Sequence, residues 1–232
     1  MALGRPQAIK ETSVSENFQD GFYPDGLPGD VSVVTDEAAL RAMHKEPMTR
    51  STDKVLPALD RHCRAIIAKS PFCLISSQSD DGADISPRGD PPGFVRVIDK
   101  SHLLLPDRVG NNRLDNAANL LKNPKIGMLF LVPGMNETLR VNGLARITDD
   151  RRLLDPCAVK GRAPITGLLI TVNEAFVHCA KALQRSELWN PDVQIQRNEL
   201  PSYATMLVDH CEGLTQAESD RQGKIMAERG LY

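Results

Sequence analysis

The 232-residue sequence predicts an α+β fold with a mainly β core: an antiparallel sheet closing into a small barrel, with flanking and terminal helices. Two observations carry this. Between residues 72 and 172, short apolar runs are separated by tight-turn chemistry, at Asp80-Asp81-Gly82, Asp99-Lys100-Ser101 and Pro133-Gly134-Met135-Asn136. Outside that block, apolar residues fall at helical spacing.

The elements follow in order. Residues 1–34 read as an N-terminal arm whose first thirty residues are polar, rich in Gly and Pro, and unlike a signal peptide. Thr35 to Lys45 predicts a short helix with Thr35 as N-cap. Ala58 to Lys69 predicts a second, since Pro57 sits at its start and Leu59, Cys63, Ile66 and Ile67 recur at helical spacing. Strands are then expected at Phe72–Ser77 and Ala83–Ser86, Phe94–Ile98 and His102–Leu105, Lys125–Val132 and Thr138–Thr148, and finally Ala163–Val172. A helix from Asn112 to Lys122 interrupts them. Its stripe is Leu114, Ala117, Ala118 and Leu121, Asn111 or Asn112 is its N-cap, and Asn123-Pro124 ends it. Further helices are expected at Phe176–Trp189, Pro201–Glu212 and Gln216–Arg229, the last with a Thr215/Glu218 capping box. This divides the chain into the arm 1–34, a core domain 35–190 with its flanking helices, and a helical extension 191–232.

Composition narrows the function. With 41% hydrophobic and 25% charged residues the chain is ordinary for a soluble globular protein, and its formal charge of -2 argues against a dedicated nucleic-acid binder. From Ser86 to Arg146, however, nine Lys or Arg face five acids, a local charge of +4 that suits a small anionic molecule. No apolar run approaches the roughly 18 residues that cross a bilayer. Five scattered cysteines without a CxxC pair fit reduced thiols in a cytoplasm. The adjacent pairs His62-Cys63, His178-Cys179 and His210-Cys211 point their side chains about 100–180° apart, so no metal is expected.

Two polar loops break the apolar strands: Asp84-Ile85-Ser86-Pro87-Arg88-Gly89-Asp90, and Pro106-Asp107-Arg108-Val109-Gly110-Asn111-Asn112-Arg113. Each sets arginine beside glycine and short polar side chains. Guanidinium forks pair with phosphate oxygens, glycine lets the backbone approach, and a helix start donates free N–H groups. Arg88, Arg108, Asn111, Asn112 and Arg113 are therefore candidate phosphate ligands. The plain alternative is an arginine-capped hairpin beside an ordinary capped helix.

These loops, with Glu137-Thr138-Leu139-Arg140-Val141-Asn142-Gly143, resemble the pyridoxamine 5'-phosphate oxidase-like family of FMN-binding split barrels. Ala175-Phe176-Val177-His178-Cys179-Ala180-Lys181-Ala182-Leu183-Gln184-Arg185-Ser186 resembles one bacterial branch of it, of unknown physiological substrate. The resemblance covers about residues 70–190. It implies an antiparallel split β-barrel and a homodimer with FMN in clefts between two barrels. It also implies that Thr138 and Arg140, on one face of their strand, pass the flavin ring. Lys181, Arg185 and Trp189, on one helix face with His178, would close the cleft; otherwise Lys181 and Arg185 are a solvent-facing stripe and Trp189 a packing anchor. The expected activity is an FMN-dependent oxidoreductase acting with a small-molecule electron donor and acceptor, and the other reading is a protein that stores or senses FMN. Related barrels that take a deazaflavin or heme would differ in absorbance. The chain lacks the Arg-Leu-x-Pro type tail of the family's namesake, ending instead Met226-Ala227-Glu228-Arg229-Gly230-Leu231-Tyr232, so oxidation of vitamin B6 is not expected.

Overall fold

The computed structural model describes residues 30–230, so nearly all of the expected N-terminal arm lies outside the described residues. The chain forms two compact units, one of Pro47–Gln194 and one in which the segment from Ile195 joins the segment ending at Glu46.

The larger unit is built on seven strands: β1 Phe72–Ser79, β2 Gly82–Gly89, β3 Arg96–Val97, β4 His102–Pro106, β5 Lys125–Leu131, β6 Thr138–Thr148 and β7 Gly167–His178. They form one sheet in the order β2-β1-β5-β6-β7-β4-β3, with every neighbouring pair antiparallel. The three tight turns expected from sequence join β1 to β2, β3 to β4 and β5 to β6. Alternation drives the sheet: Cys73 and Ile75, Ile126, Met128 and Phe130, and Leu139 and Val141 point inward into one core. That core also takes Leu103 and Leu105 of β4 and Leu168, Ile170 and Val172 of β7. The sheet curls on itself, since Arg88 of the first strand and Leu105 of the sixth line a common small cavity with Ile147 and Leu168. This is the antiparallel split barrel, an α+β architecture with a sheet-dominated core.

Two features of β6 and β7 fix the curl. A bulge between Asn142 and Gly143 shifts their register. There the backbones approach so closely that a Cβ on Gly143 would stand 2.1 Å from the Thr171 carbonyl oxygen, which only glycine permits.

The α-helices are α1 Glu37–Ala42, α2 Thr49–Asp53, α3 Arg61–Lys69, α4 Asp115–Lys122, α5 Arg151–Leu154, α6 Lys181–Arg185, α7 Tyr203–His210 and α8 Gln216–Arg229, with short 3-10 turns at Asp155–Cys157, Pro191–Val193 and Arg197–Glu199. Helix α3 buries Cys63 and Ile67 against the core, beside Leu59. It starts at Arg61 rather than Ala58, because the Asp60 carboxylate accepts the Cys63 N–H at 2.8 Å and so caps it. Asp36, not Thr35, caps α1 in the same way, accepting the Ala39 N–H at 2.8 Å. In the smaller unit, α7 and α8 begin at Ser202 and Thr215 caps, and the Ser219 hydroxyl bonds the Ala204 carbonyl at 3.1 Å.

Larger corrections concern the last strand and α4. The last strand runs from Gly167 to His178, not from Ala163 to Val172, so the helix expected at Phe176–Trp189 shrinks to α6. Phe176, Val177 and His178 pair with Arg140, Leu139 and Thr138, and the ladder available along the eleven residues of β6 outweighs local helical spacing. Helix α4 starts at Asp115 rather than Asn112, and its buried face is Asn116, Asn119 and Leu120. Leu114 and Leu121 of the expected stripe are 58% and 77% exposed.

Candidate functional site: a basic cavity beside the edge strand

The site begins with β2. Directly opposed residues of an antiparallel pair share a face. Asp84, Ser86 and Arg88 face Ser77, Ile75 and Cys73, and so turn toward the interior. An edge strand with three polar residues on its inner side cannot be sealed by apolar packing. Helix α4 meets it with polar groups instead. The Asn116 amide donates to Ser77 Oγ at 2.9 Å and its carbonyl oxygen accepts from Ser86 Oγ at 2.5 Å. Asn119 Nδ2 donates to Asp84 Oδ2 at 2.6 Å, and Asn119 Oδ1 accepts from Ser79 Oγ at 2.7 Å. This network explains why the buried face of α4 carries two asparagines beside Leu120. Asn116→Ala removes a partner from the buried Ser77 hydroxyl and the half-buried Ser86 hydroxyl, and should cost about 1–3 kcal/mol of stability. Urea unfolding of the variant checks this, and an unmoved midpoint would contradict it.

Between β2, the loop 107–114 and the start of α4 lies a cavity of about 390 Å³, lined by Ser86, Arg88, Asp107, Arg108, Gly110, Asn111, Asn112, Arg113, Asp115 and Asn116 among others. The loop is tightly wound. Asn111 Oδ1 accepts the Arg113 N–H at 3.1 Å, and Asn112 and Leu114 both hold left-handed backbone, φ 58° and 59°. Asparagine tolerates that conformation, but at leucine it costs on the order of 1–3 kcal/mol. Leu114 occupies the N-cap position of α4 and provides no side-chain cap, so the first amides of α4 face the loop without one.

The structure thus brings Arg88, Arg108, Asn111, Asn112 and Arg113 to one cavity. Their guanidinium groups differ in engagement. Arg108 bridges the barrel seam: its Nε meets Asp90 Oδ2 at 2.6 Å, with Asp90 almost fully buried, and its Nη1 donates to the Cys157 carbonyl at 2.8 Å. Arg113 is 72% exposed and paired with Asp115 at 2.7 Å. Arg88 is half-buried, and the hydrogen bond it makes is a long one, 3.2 Å, to the Pro87 carbonyl. Asp107 shares the cavity; burial pushes its carboxyl up, and the nearby Arg88 charge pulls it back in part.

The other five candidates lie elsewhere in the chain. Thr138 and Arg140 begin β6, three strands from β2 in the sheet order, with Thr138 buried and Arg140 half-exposed beside Phe176. Lys181 and Arg185 are exposed on α6, and His178 is not on their helix face because it belongs to β7. Trp189 is half-buried, its indole N–H donating to the Met135 carbonyl at 2.9 Å, which ties the segment after α6 to the β5–β6 turn. Sequence reasoning missed Ser86, Asp107 and Asn116 as lining residues. The available signal was the pair Asn116 and Asn119, three apart on a helix that must pack on a sheet.

A split barrel with an arginine-lined cavity at its edge strand is the class that fold and site define. A family model described as pyridoxamine 5'-phosphate oxidase matches residues 59–179, just over half of the chain, and the chain belongs to that family. No curated protein matches it. Similar solved structures include HupZ of Group A Streptococcus, 15% identical over 51% of this chain and 93% of that one, with a TM-score of 0.43. An FMN-binding protein from Syntrophomonas wolfei is 12% identical over 50% and 83%, with a TM-score of 0.40. General Stress Protein 26 from Bacillus anthracis is 14% identical over 49% and 88%, with a TM-score of 0.38.

Proposed function

We propose that the chain is an FMN-binding flavoprotein, an FMN-dependent oxidoreductase acting on a small molecule, with the cofactor phosphate held in the cavity between β2 and the loop 107–114. The convergence of Arg88, Arg113, Asn111 and Asn112 on that one cavity carries the reading. The residues fit the group: a phosphate monoester bears close to two negative charges, and Arg88 and Arg113 answer them while Arg108 adds charge from its seam position. Ser86 and the first amides of α4 add neutral donors. Bound FMN would supply the electron and hydride transfer itself, so no residue is assigned as acid or base.

Thr138 and Arg140 would flank the flavin ring, with Lys181, Arg185 and Trp189 at the cleft's far side. The reading includes a homodimer with cofactor at the interface. It also includes the division into an arm 1–34, a cofactor domain 35–190 and a helical extension 191–232. Free thiols at all five cysteines support a cytoplasmic setting, and among the described residues no helix is long and apolar enough to cross a membrane.

The test is kinetic. The purified, FMN-loaded protein should consume NADH or NADPH with an acceptor faster than the same concentration of free FMN. Retained FMN with no excess rate across a broad donor and acceptor panel would make it a carrier or sensor instead.

A further inference from the structure

The outer face where β6 meets β7 carries basic groups that the phosphate cavity does not use. Register sets Thr138 opposite His178 and Arg140 opposite Phe176, so these side chains share the face turned away from the core. An isolated bridge between Leu56 and Ala175 draws the segment after α2 alongside β7. Lys54 is delivered there: its ammonium donates to the Val177 carbonyl at 2.8 Å and stands 5.1 Å from the centre of the Phe176 ring. The Arg140 guanidinium carbon stands 4.3 Å from that centre, and the His178 ring centre 4.9 Å.

Among the described residues, Glu174 is the carboxylate paired with Arg140. Glu174 accepts from Asn142 Nδ2 at 2.6 Å and reaches Arg140 Nη2 only at 3.4 Å. The Nε of Arg140 is buried without a hydrogen-bond partner. The neighbours whose charges act on His178 are Arg140 from β6 and Lys54 from the segment after α2; with burial as the largest cause, they hold its imidazole below the ordinary histidine range. Glu174 offsets only part of the charge of the two cations gathered on one ring, since it is shared with Asn142 and reaches Arg140 at 3.4 Å, so a further anion is favoured there.

We propose that Lys54, Arg140 and His178 form a subsite for an oxyanion, the carboxylate or phosphate of a small ligand, on the outer face of β6 and β7. Arg140 offers a planar fork, and Lys54 keeps two hydrogens beyond the one given to Val177. His178 takes one proton from solvent as the anion arrives, so binding tightens as pH falls. A role as anchor for an anionic substrate rests on the flavin reading, whereas the binding itself does not.

The experiment follows the His178 imidazole by proton NMR in the full-length protein across pH, in inorganic phosphate, succinate or sodium chloride at matched ionic strength. His178→Gln supplies the assignment. Phosphate or succinate should raise the His178 midpoint by about one pH unit over chloride, which corresponds to about tenfold tighter anion binding by the protonated form. The stronger of the two tells which oxyanion the subsite favours. Lys54→Met should weaken binding about fivefold or more, Arg140→Met should do the same, and Arg140→Lys should recover part of it. Arg88→Ala should leave the response intact. Equal midpoints in all three salts, or a response that survives Lys54→Met and vanishes with Arg88→Ala, would overturn the proposal. Flavin absorbance is read separately: loss of FMN binding with the His178 response intact would sink the flavin reading alone.

Discussion

Arg88→Ala should weaken FMN retention tenfold or more, a loss of about 1.5–3 kcal/mol, while leaving riboflavin binding unchanged. The expectation follows from where Arg88 sits. It faces inward from an edge strand, half-buried and without a close ion pair among the described residues, so its fork is available and only partly screened. Arg88→Lys keeps the charge but loses the two-pronged geometry, and should fall between wild type and alanine. Arg113→Ala should cost less, because that side chain is 72% exposed and already paired with Asp115. Dissociation constants for FMN and riboflavin, measured side by side, check all three. A loss shared equally by the two flavins would mean that Arg88 supports the fold and not the phosphate.

The second large effect belongs to Asp90. Its carboxylate, with side-chain exposure of 1%, meets the Arg108 guanidinium across the seam where the curled sheet brings the ends of β2 and β4 together. Removing Asp90 takes the carboxylate partner from a mostly buried guanidinium, which costs far more than the pair adds over an apolar substitute. Asp90→Ala should therefore lower stability by about 3–5 kcal/mol. Asp90→Asn keeps the shape and one acceptor and should cost less. Chemical denaturation of both variants measures this. A loss below about 1 kcal/mol, as for a surface pair, would show that the seam does not depend on this contact.

Much of the fold was legible because period-two patterning and turn chemistry agree along residues 72–148. All three tight turns fall where Asp-Asp-Gly, Asp-Lys-Ser and Pro-Gly-Met-Asn place them. In both errors a contact with a distant strand overrides local helical periodicity. In α4 the apolar stripe is exposed and an asparagine face is buried, because the inner side of β2 is polar, which no helical periodicity reports. At Phe176–His178, β6 had ladder positions left to fill, and strand pairing overrode local helical spacing. The site was legible in part for the same reason. The cluster from Arg88 to Arg113 lies on two loops whose residues show their chemistry directly. The roles of Arg108 as a seam contact, and of Lys54 beside Phe176, depend on contacts between distant segments that sequence alone does not display.

The most direct measurement is a crystal structure of the chain grown with FMN. The phosphate should lie within hydrogen-bond distance of the Arg88 guanidinium, with the loop 107–114 closed around it. A flavin whose phosphate sits anywhere else, with Arg88 and Arg113 turned to solvent, would contradict the account.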